Sequence, residues 1–445
     1  MDFAARVHAR NYRMDPIVDT RADTDFYKIS MGQVIDARHP MTTVAFELTN
    51  RTCDVRLADI VTVEEMREQL DHVRTLRWSR SELINLQGQT YAGAANMFSP
   101  GYIHAMGLSR LPDYDLSVDA GTGQFVFRSE GRWLDVKDWE VHLLAIVNEL
   151  RNRAVMRTMS GAGLQIMYAR AMTKLFAKLE RLARFDDILI SDFGTRRRHS
   201  LEWQEWCVRT AVEVLGKRFT GTSNVHLARK LDLEPIGTNA HELPMVYAAL
   251  AANDGDAAVR ASQYEVLRDW MSVYGDNLRI FLPDTFGTTQ FLDGAPDWVS
   301  WWNGFRIDSK DAFVAGEEAI AFWNRVGADA ATKLAVFADG MDVAIPGHAA
   351  NGTDIVAVHE RFRGRIRDTY GWGTMFTNDF IGCPVGDRQA LKPISIVCKV
   401  ASADGRAAVK LSDNYEKARS PDADELARYR AIFGDAGMAN APGLV

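Results

Sequence analysis

Four short apolar runs, each closing on a turn that carries an aspartate, restrict this chain more than any other feature. Asp187-Ile188-Leu189-Ile190 runs into Ser191-Asp192-Phe193-Gly194-Thr195-Arg196, and Leu278-Arg279-Ile280-Phe281-Leu282 into Pro283-Asp284-Thr285. Gly304-Phe305-Arg306-Ile307 runs into Asp308-Ser309, and Leu334-Ala335-Val336-Phe337 into Ala338-Asp339-Gly340. Such runs, ended by turn residues and separated by helical stretches, read as the buried strands of a parallel sheet. Ligands bind at the carboxyl ends of the strands in these sheets, whether open or closed into a barrel. Four aspartate-bearing strand ends therefore read as parts of one site. A helix cap is the competing explanation for any single aspartate, and it accounts for one of them better than for the set.

The first part of the chain, to about residue 140, lacks this rhythm. It mixes helices with alternating stretches such as Gln124-Phe125-Val126-Phe127-Arg128. Thr62 and Glu65 have capping-box spacing ahead of Met66, Leu70 and Val73 on one helical face. Trp139 to Leu150 is apolar on most sides and reads as a helix between layers. Ser200 to about Lys217 reads as another helix, and 251–256 as a loop between helices. Val397–Leu411 reads as a hairpin turning at Asp404-Gly405. The organisation expected is an N-terminal α+β domain over 1–140, joined by about 395–445, beside an α/β barrel-like domain over 141–394. The first 15 residues and the tail after Phe433 are expected to be loose ends.

A formal net charge of −7 gives no polybasic surface for nucleic acid or membrane. An anionic substrate would need a local positive pocket. No stretch reaches the length of a membrane span, and the N-terminus lacks a signal-peptide core, so a cytoplasmic location is expected. Cys53, Cys207, Cys383 and Cys398 form no CxxC pair. They read as reduced packing residues, not metal ligands, and no protein metal site is expected.

Gly371-Trp372-Gly373-Thr374 has the composition of an anion-binding nest or of a plain turn. In Gly237-Thr238-Asn239-Ala240-His241-Glu242, Asn239 and Glu242 have capping-box-like spacing, which places His241 in a first helical turn. The helix dipole there favours neutral imidazole, the form that accepts a phosphoryl group. A structural histidine is the competing reading.

Four ordered segments carry a family resemblance: Thr24-Asp25-Phe26-Tyr27-Lys28; Ser191-Asp192-Phe193-Gly194-Thr195-Arg196-Arg197; Gly221-Thr222-Ser223-Asn224 with Gly237–Glu242; and Arg306-Ile307-Asp308-Ser309. Lys392-Pro393-Ile394 and Val409-Lys410-Leu411-Ser412-Asp413 fit as well. With these segments the chain resembles the nicotinate phosphoribosyltransferases from about residue 20 to about 415. The resemblance implies an irregular or incomplete α/β barrel with an additional α+β domain. It implies transfer of a phosphoribosyl group from phosphoribosyl pyrophosphate (PRPP) to nicotinate, coupled to ATP, with Mg²⁺ entering on the phosphates.

Residue by residue, the resemblance assigns Phe193 and Tyr27 to the two faces of the pyridine ring, with Tyr27 supplied by the neighbouring subunit of a homodimer. Arg306, Ser223 and Thr238 meet nicotinate. Arg196, Asp308, Asp339, Gly340, Gly373 and Thr374 bind PRPP. His241 becomes a phosphohistidine, and Asp284 holds its other ring nitrogen. Ser223 favours nicotinate over nicotinamide, because an aspartate there would repel a carboxylate. Arg197 and Arg198 are site residues or a solvated basic edge, and the edge is expected for Arg198. The chain departs from the family at Lys310, where glycine is usual, and in the bulk of Trp372. Two alternatives stand beside this reading: a nicotinamide phosphoribosyltransferase and a catalytically silent homologue. An unrelated phosphate-binding barrel leaves the Ser191–Arg197 and Gly237–Glu242 segments unexplained.

Overall fold

The structure, a computed structural model, describes residues 15–91, 93 and 95–440. The expectation of loose ends at 1–14 and 441–445 lies outside the described residues. The rest of the tail is not loose: Ala439 N–H donates to Asp413 O (2.9 Å), and Ala439 O accepts from Tyr415 N–H (3.2 Å).

Strands β1 (Thr43–Asn50), β2 (Tyr114–Asp119) and β3 (Gln124–Arg132) are antiparallel neighbours. The second group is β4 (Ile190–Asp192), β5 (Phe219–Thr222), β6 (Ile280–Phe281), β7 (Gly304–Ile307) and β8 (Leu334–Phe337). After a short pair, β9 (Met341–Asp342) and β10 (Thr353–Asp354), comes β11 (Arg367–Trp372). It completes a six-stranded sheet in the order β5-β4-β11-β8-β7-β6, parallel throughout. All four apolar runs are thus parallel strands, as their pattern requires.

The sheet does not close, and the segment before His241 fills the gap between its edges. Ile236 N–H donates to Thr222 O on the β5 side (2.9 Å), and Thr238 Oγ1 donates to Ile280 O on the β6 side (3.4 Å). The architecture is an incomplete barrel.

β12 (Ile396–Ala403) pairs with β1, far from it in sequence, and turns back through Asp404 (φ 44°) and Gly405 (φ 78°) into β13 (Arg406–Ala407). Both turn residues adopt the left-handed region that a two-residue hairpin turn requires. The antiparallel sheet runs β13-β12-β1-β3-β2. The helix Trp139–Met156 packs on β12 and on the Thr195–Arg197 turn, so it is buried nearly all round, its polar residues such as Glu140, Asn148 and Asn152 included. That helix is the floor on which the two sheets meet.

Several local expectations meet their geometry. Thr62 and Glu65 form a reciprocal capping box on Val63–Thr75, with Met66, Leu70 and Val73 buried. Thr62→Ala should cost about 1 kcal/mol, read as a lower urea midpoint at unchanged slope. Ser200 caps the helix Leu201–Leu215, and 252–254 form a short 3₁₀ turn between helices.

Others need correction. Asn239 does not cap: the helix is Glu242–Ala251, His241 sits at its N-cap position, and no side chain closes a capping box. Glu242 is drawn elsewhere, to Lys28 and Trp133. Arg198 is no solvated edge but fully buried, bonding both oxygens of Asp23 at 2.6 Å. A lone guanidinium could not remain there without that carboxylate. Cys53 is exposed, whereas the other three cysteines are buried. Among the described residues no helix is long and apolar enough to cross a membrane.

Candidate active site

A polar pocket opens at the carboxyl ends of the parallel strands. Phe193, Gly194 and Arg196 come from the turn after β4, Arg306 and Asp308 from β7, Asp339 and Gly340 from the turn after β8, and Gly373 and Thr374 from the end of β11. His241 completes this half of the wall. The other half is the antiparallel sheet and its extension: Arg51 beyond β1, Lys399 on β12, and Lys410 and Lys417 after β13. With Arg196, Arg197 and Arg306 they bring seven cations against two carboxylates, Asp308 and Asp339. The local positive charge that an anionic substrate needs is therefore concentrated here, in a chain of net charge −7.

The aspartates at the strand ends divide by role. Asp308 and Asp339 line the pocket. Asp192 is buried and braces the Phe193 turn, accepting from Gly194 N–H (2.8 Å), Gln204 Nε2 (2.8 Å) and Thr222 Oγ1 (2.7 Å). Asp284 lies behind His241, with one oxygen accepting from Ser309 Oγ (2.5 Å) and the other, Oδ1, buried without a protein partner among the described residues. The single site expected from all four is a pocket built on two.

His241 Nδ1 contacts Thr285 Oγ1 at 2.9 Å, and Nε2 contacts Asp308 Oδ2 at 2.9 Å. A carboxylate only accepts, so Nε2 carries the proton and Nδ1 accepts from the Thr285 hydroxyl. This corrects the expected geometry: Asp284 Oδ2 approaches Nε2 at 3.8 Å, and Thr285 holds the other nitrogen. Burial pushes the imidazole pKa down to about 4, with Asp284 opposing and Lys410 adding to the shift. His241 is thus neutral across the physiological range. His241, Asp284 and Asp308 also bring their ligand atoms within 4.8 Å of one another, a spacing open to a cation.

Of the expected nicotinate residues, Phe193 and Arg306 are on the pocket wall. Phe193 lies over Gly371, where a Cβ would stand 2.2 Å from its ring, so only glycine leaves the ring its place. Arg306 donates to Asn239 O (3.3 Å) and lies 3.5 Å from Asp308.

Tyr27, Ser223 and Thr238 lie behind the wall. Tyr27 is buried, its hydroxyl donates to Glu140 (3.2 Å), and the Arg196 guanidinium sits 5.5 Å from its ring centroid. The chain's own Tyr27 therefore backs Arg196. Ser223 Oγ donates to Asp25 Oδ1 (2.6 Å), and Asp25 Oδ2 lies 3.3 Å from Arg196 Nε. A carboxylate thus stands beside Ser223 after all. Thr238 spends its hydroxyl on barrel closure.

Gly340 adopts φ 56°, with Gly352 against its carbonyl. Trp372 points away from the pocket and is fully buried, stacking on Phe376 (4.9 Å), so its bulk does not obstruct the turn. Lys310 is likewise drawn away, to Glu318 (2.5 Å) and Thr289 (2.7 Å).

Arg51, Lys399 and Lys417 escape sequence reasoning. No local motif marks them; the distant pairing of β1 with β12 delivers Arg51 and Lys399, and an ion pair with Asp339 (2.7 Å) holds Lys417. Lys410 is legible only as part of a closing segment. Burial lowers its pKa to about 8, against the pull of Asp284. Its charged form is the one below that value, so anion binding through Lys410 is strongest well below pH 8 and is lost as pH rises past about 8. The kcat/KM for a phosphorylated substrate should fall above that pH, because it reports the free enzyme. Lys410→Arg should move the fall to higher pH, and an unmoved profile would remove Lys410 as its cause.

Comparisons with known proteins agree with this geometry. Residues 22–148 match the model of the nicotinate phosphoribosyltransferase N-terminal domain, and residues 188–436 match that of the nicotinate phosphoribosyltransferase family. The crystal structure of nicotinate phosphoribosyltransferase from Vibrio cholerae is 29% identical with a TM-score of 0.79, covering 95% of each chain. That from Porphyromonas gingivalis is 25% identical with a TM-score of 0.78, covering 94% of this chain and all of that one. On these matches, which extend over both sheets and the pocket between them, the chain belongs to the nicotinate phosphoribosyltransferase family.

Proposed function

We propose that the chain converts nicotinate and PRPP to nicotinate mononucleotide and pyrophosphate, hydrolysing ATP through a phosphorylated His241, in pyridine nucleotide salvage. The observation that carries this reading is one pocket holding an aromatic wall (Phe193), a neutral histidine (His241), a carboxylate able to accept from hydroxyls (Asp308) and seven cations, Arg306 among them.

In the reaction the pyridine nitrogen forms a bond to ribose C1 as the bond from C1 to the pyrophosphate oxygen breaks. Negative charge grows on the leaving oxygens and positive charge on the ribose ring. The cations face the first and Asp308 the second, so catalysis is positioning and electrostatic stabilisation. Arg306 pairs with the nicotinate carboxylate, and Phe193 offers a ring to stack on. Arg196, Asp339, Gly340, Gly373 and Thr374 receive PRPP. Asp308 serves two partners in this scheme, His241 at rest and the ribose hydroxyls in the complex. Its transfer to ribose would release Nε2. With the ring proton moved to Nδ1, which then donates to Thr285 Oγ1, Nε2 would attack the γ-phosphorus of ATP as the bond from that phosphorus to the ADP oxygen breaks.

The residues fit a magnesium ion: Asp308 and Asp339 are carboxylates in the phosphate pocket, and the buried Asp284 Oδ1 lacks a protein partner among the described residues. Bound with the phosphates, Mg²⁺ would neutralise charge on the leaving pyrophosphate.

One observation favours a second reading, nicotinamide as substrate: Asp25 stands beside Ser223, where a carboxylate would accept from an amide. Against it, Arg196 already faces Asp25 and Arg306 remains for an acid. A cytoplasmic homodimer completes the family expectation. A gel-filtration mass of two chains would support the dimer. The test of the reaction is pyrophosphate release from PRPP that requires nicotinate and rises with ATP. Release that ignores nicotinate would reject it.

A further inference from the structure

Behind the pocket, three buried charges from three helices meet. Lys28, from the helix Phe26–Arg38, places Nζ 2.7 Å from Glu140 Oε2 and 2.5 Å from Glu242 Oε2. All three side chains are at least 96% buried. Glu242 directly follows His241 and takes a second bond from Trp133 Nε1 (2.5 Å). Glu140 divides its two oxygens between interior and pocket. Oε2 faces Lys28 and the Tyr27 hydroxyl, whereas Oε1 faces Arg196 (3.4 Å) and Lys399 (3.5 Å). One carboxylate therefore touches two cations of the pocket wall, and through one lysine it is tied to the residue after His241.

Arg196 and Lys399 are the more exposed partners of this cluster, at 34% and 21% against 3% for Glu140, so the oxygen that Glu140 turns to them ties the buried charges to the pocket wall. Long cationic side chains lose rotamer freedom on binding an anion, and an anchor that fixes them beforehand removes that cost. We infer that Glu140, held by Lys28 and Glu242, is a positioning residue that aims Arg196 and Lys399 at the phosphates of the substrate and fixes them relative to His241. The inference rests on the phosphoribosyl-transfer reading for the identity of the anion. Placement and simple charge give opposite signs here. Removing a carboxylate from beside two cations strengthens anion binding if only charge counts, and weakens it if placement counts.

The test is calorimetric titration of magnesium pyrophosphate into the wild-type protein, Glu140→Gln and Glu140→Asp, with a melting temperature for each. Pyrophosphate should bind the wild type and bind both variants about tenfold or more weakly. Glu140→Asp keeps the buried charge but falls one methylene short, and it carries the test alone if Glu140→Gln does not fold. Tighter binding by Glu140→Gln, wild-type binding by Glu140→Asp, or a lowered melting temperature with unchanged affinity would each overturn the inference. Turnover is not needed, so a protein that binds pyrophosphate yet makes no nucleotide defeats the reaction and leaves this comparison decisive.

Discussion

His241→Ala should lose all ATP stimulation of mononucleotide formation and should take no label from ATP labelled in its γ-phosphate. The effect is expected to be complete, because alanine has no lone pair to offer and among the described residues no second imidazole lines the pocket. The pH dependence separates this role from a structural one. A base must be deprotonated to attack, and burial holds His241 at about 4. Labelling of the wild type should therefore persist as pH falls through 6.5, the range in which an ordinary histidine becomes charged, and decline only towards 4. A decline centred near 6.5 would show that the imidazole is not held as the structure places it. Basal transfer without ATP should survive in His241→Ala, since Phe193, Arg306 and the phosphate cations are untouched.

Arg306→Ala should cut kcat/KM for nicotinate by about 3 kcal/mol, roughly a hundredfold, the loss expected when one partner of a desolvated charge pair is removed. Its side chain is largely buried on the pocket wall, and among the described residues its Nε has no protein partner. Any nicotinamide turnover should change much less, because a carboxamide makes no ion pair. Arg306→Lys should not restore nicotinate, since a single ammonium cannot reproduce the two-pronged geometry of guanidinium on a carboxylate. Equal losses for the acid and the amide would mean that Arg306 holds the loop through Asn239 O and does not read the substrate.

The parallel sheet was legible because strands buried on both faces write themselves as unbroken apolar runs, and the hairpin because Asp404-Gly405 has only one good use. Phe193, Arg306, Asp308 and His241 were legible as parts of ordered segments. What the segments could not show was direction. Tyr27 and Ser223 belong to matching motifs, yet both turn behind the wall, to Glu140 and Asp25. Arg198 reads as the third residue of a basic run, and only the fold brings Asp23 to it. Asn239 has the spacing of a cap, but the bond that would close the box goes instead to Lys28 across the interior. Pairing between distant segments decides each of these cases. The same holds for Arg51 and Lys399, whose place in the pocket follows from β1 meeting β12.

The most direct test of nicotinate phosphoribosyl transfer is a competition. The wild-type protein is given PRPP, Mg²⁺ and ATP with nicotinate and nicotinamide at equal concentration, and the mononucleotides are separated by mass. Nicotinate mononucleotide should dominate, with pyrophosphate formed in equal amount. Nicotinamide mononucleotide as the main product would overturn the acid reading in favour of the amide, and the absence of either nucleotide would contradict the proposed activity.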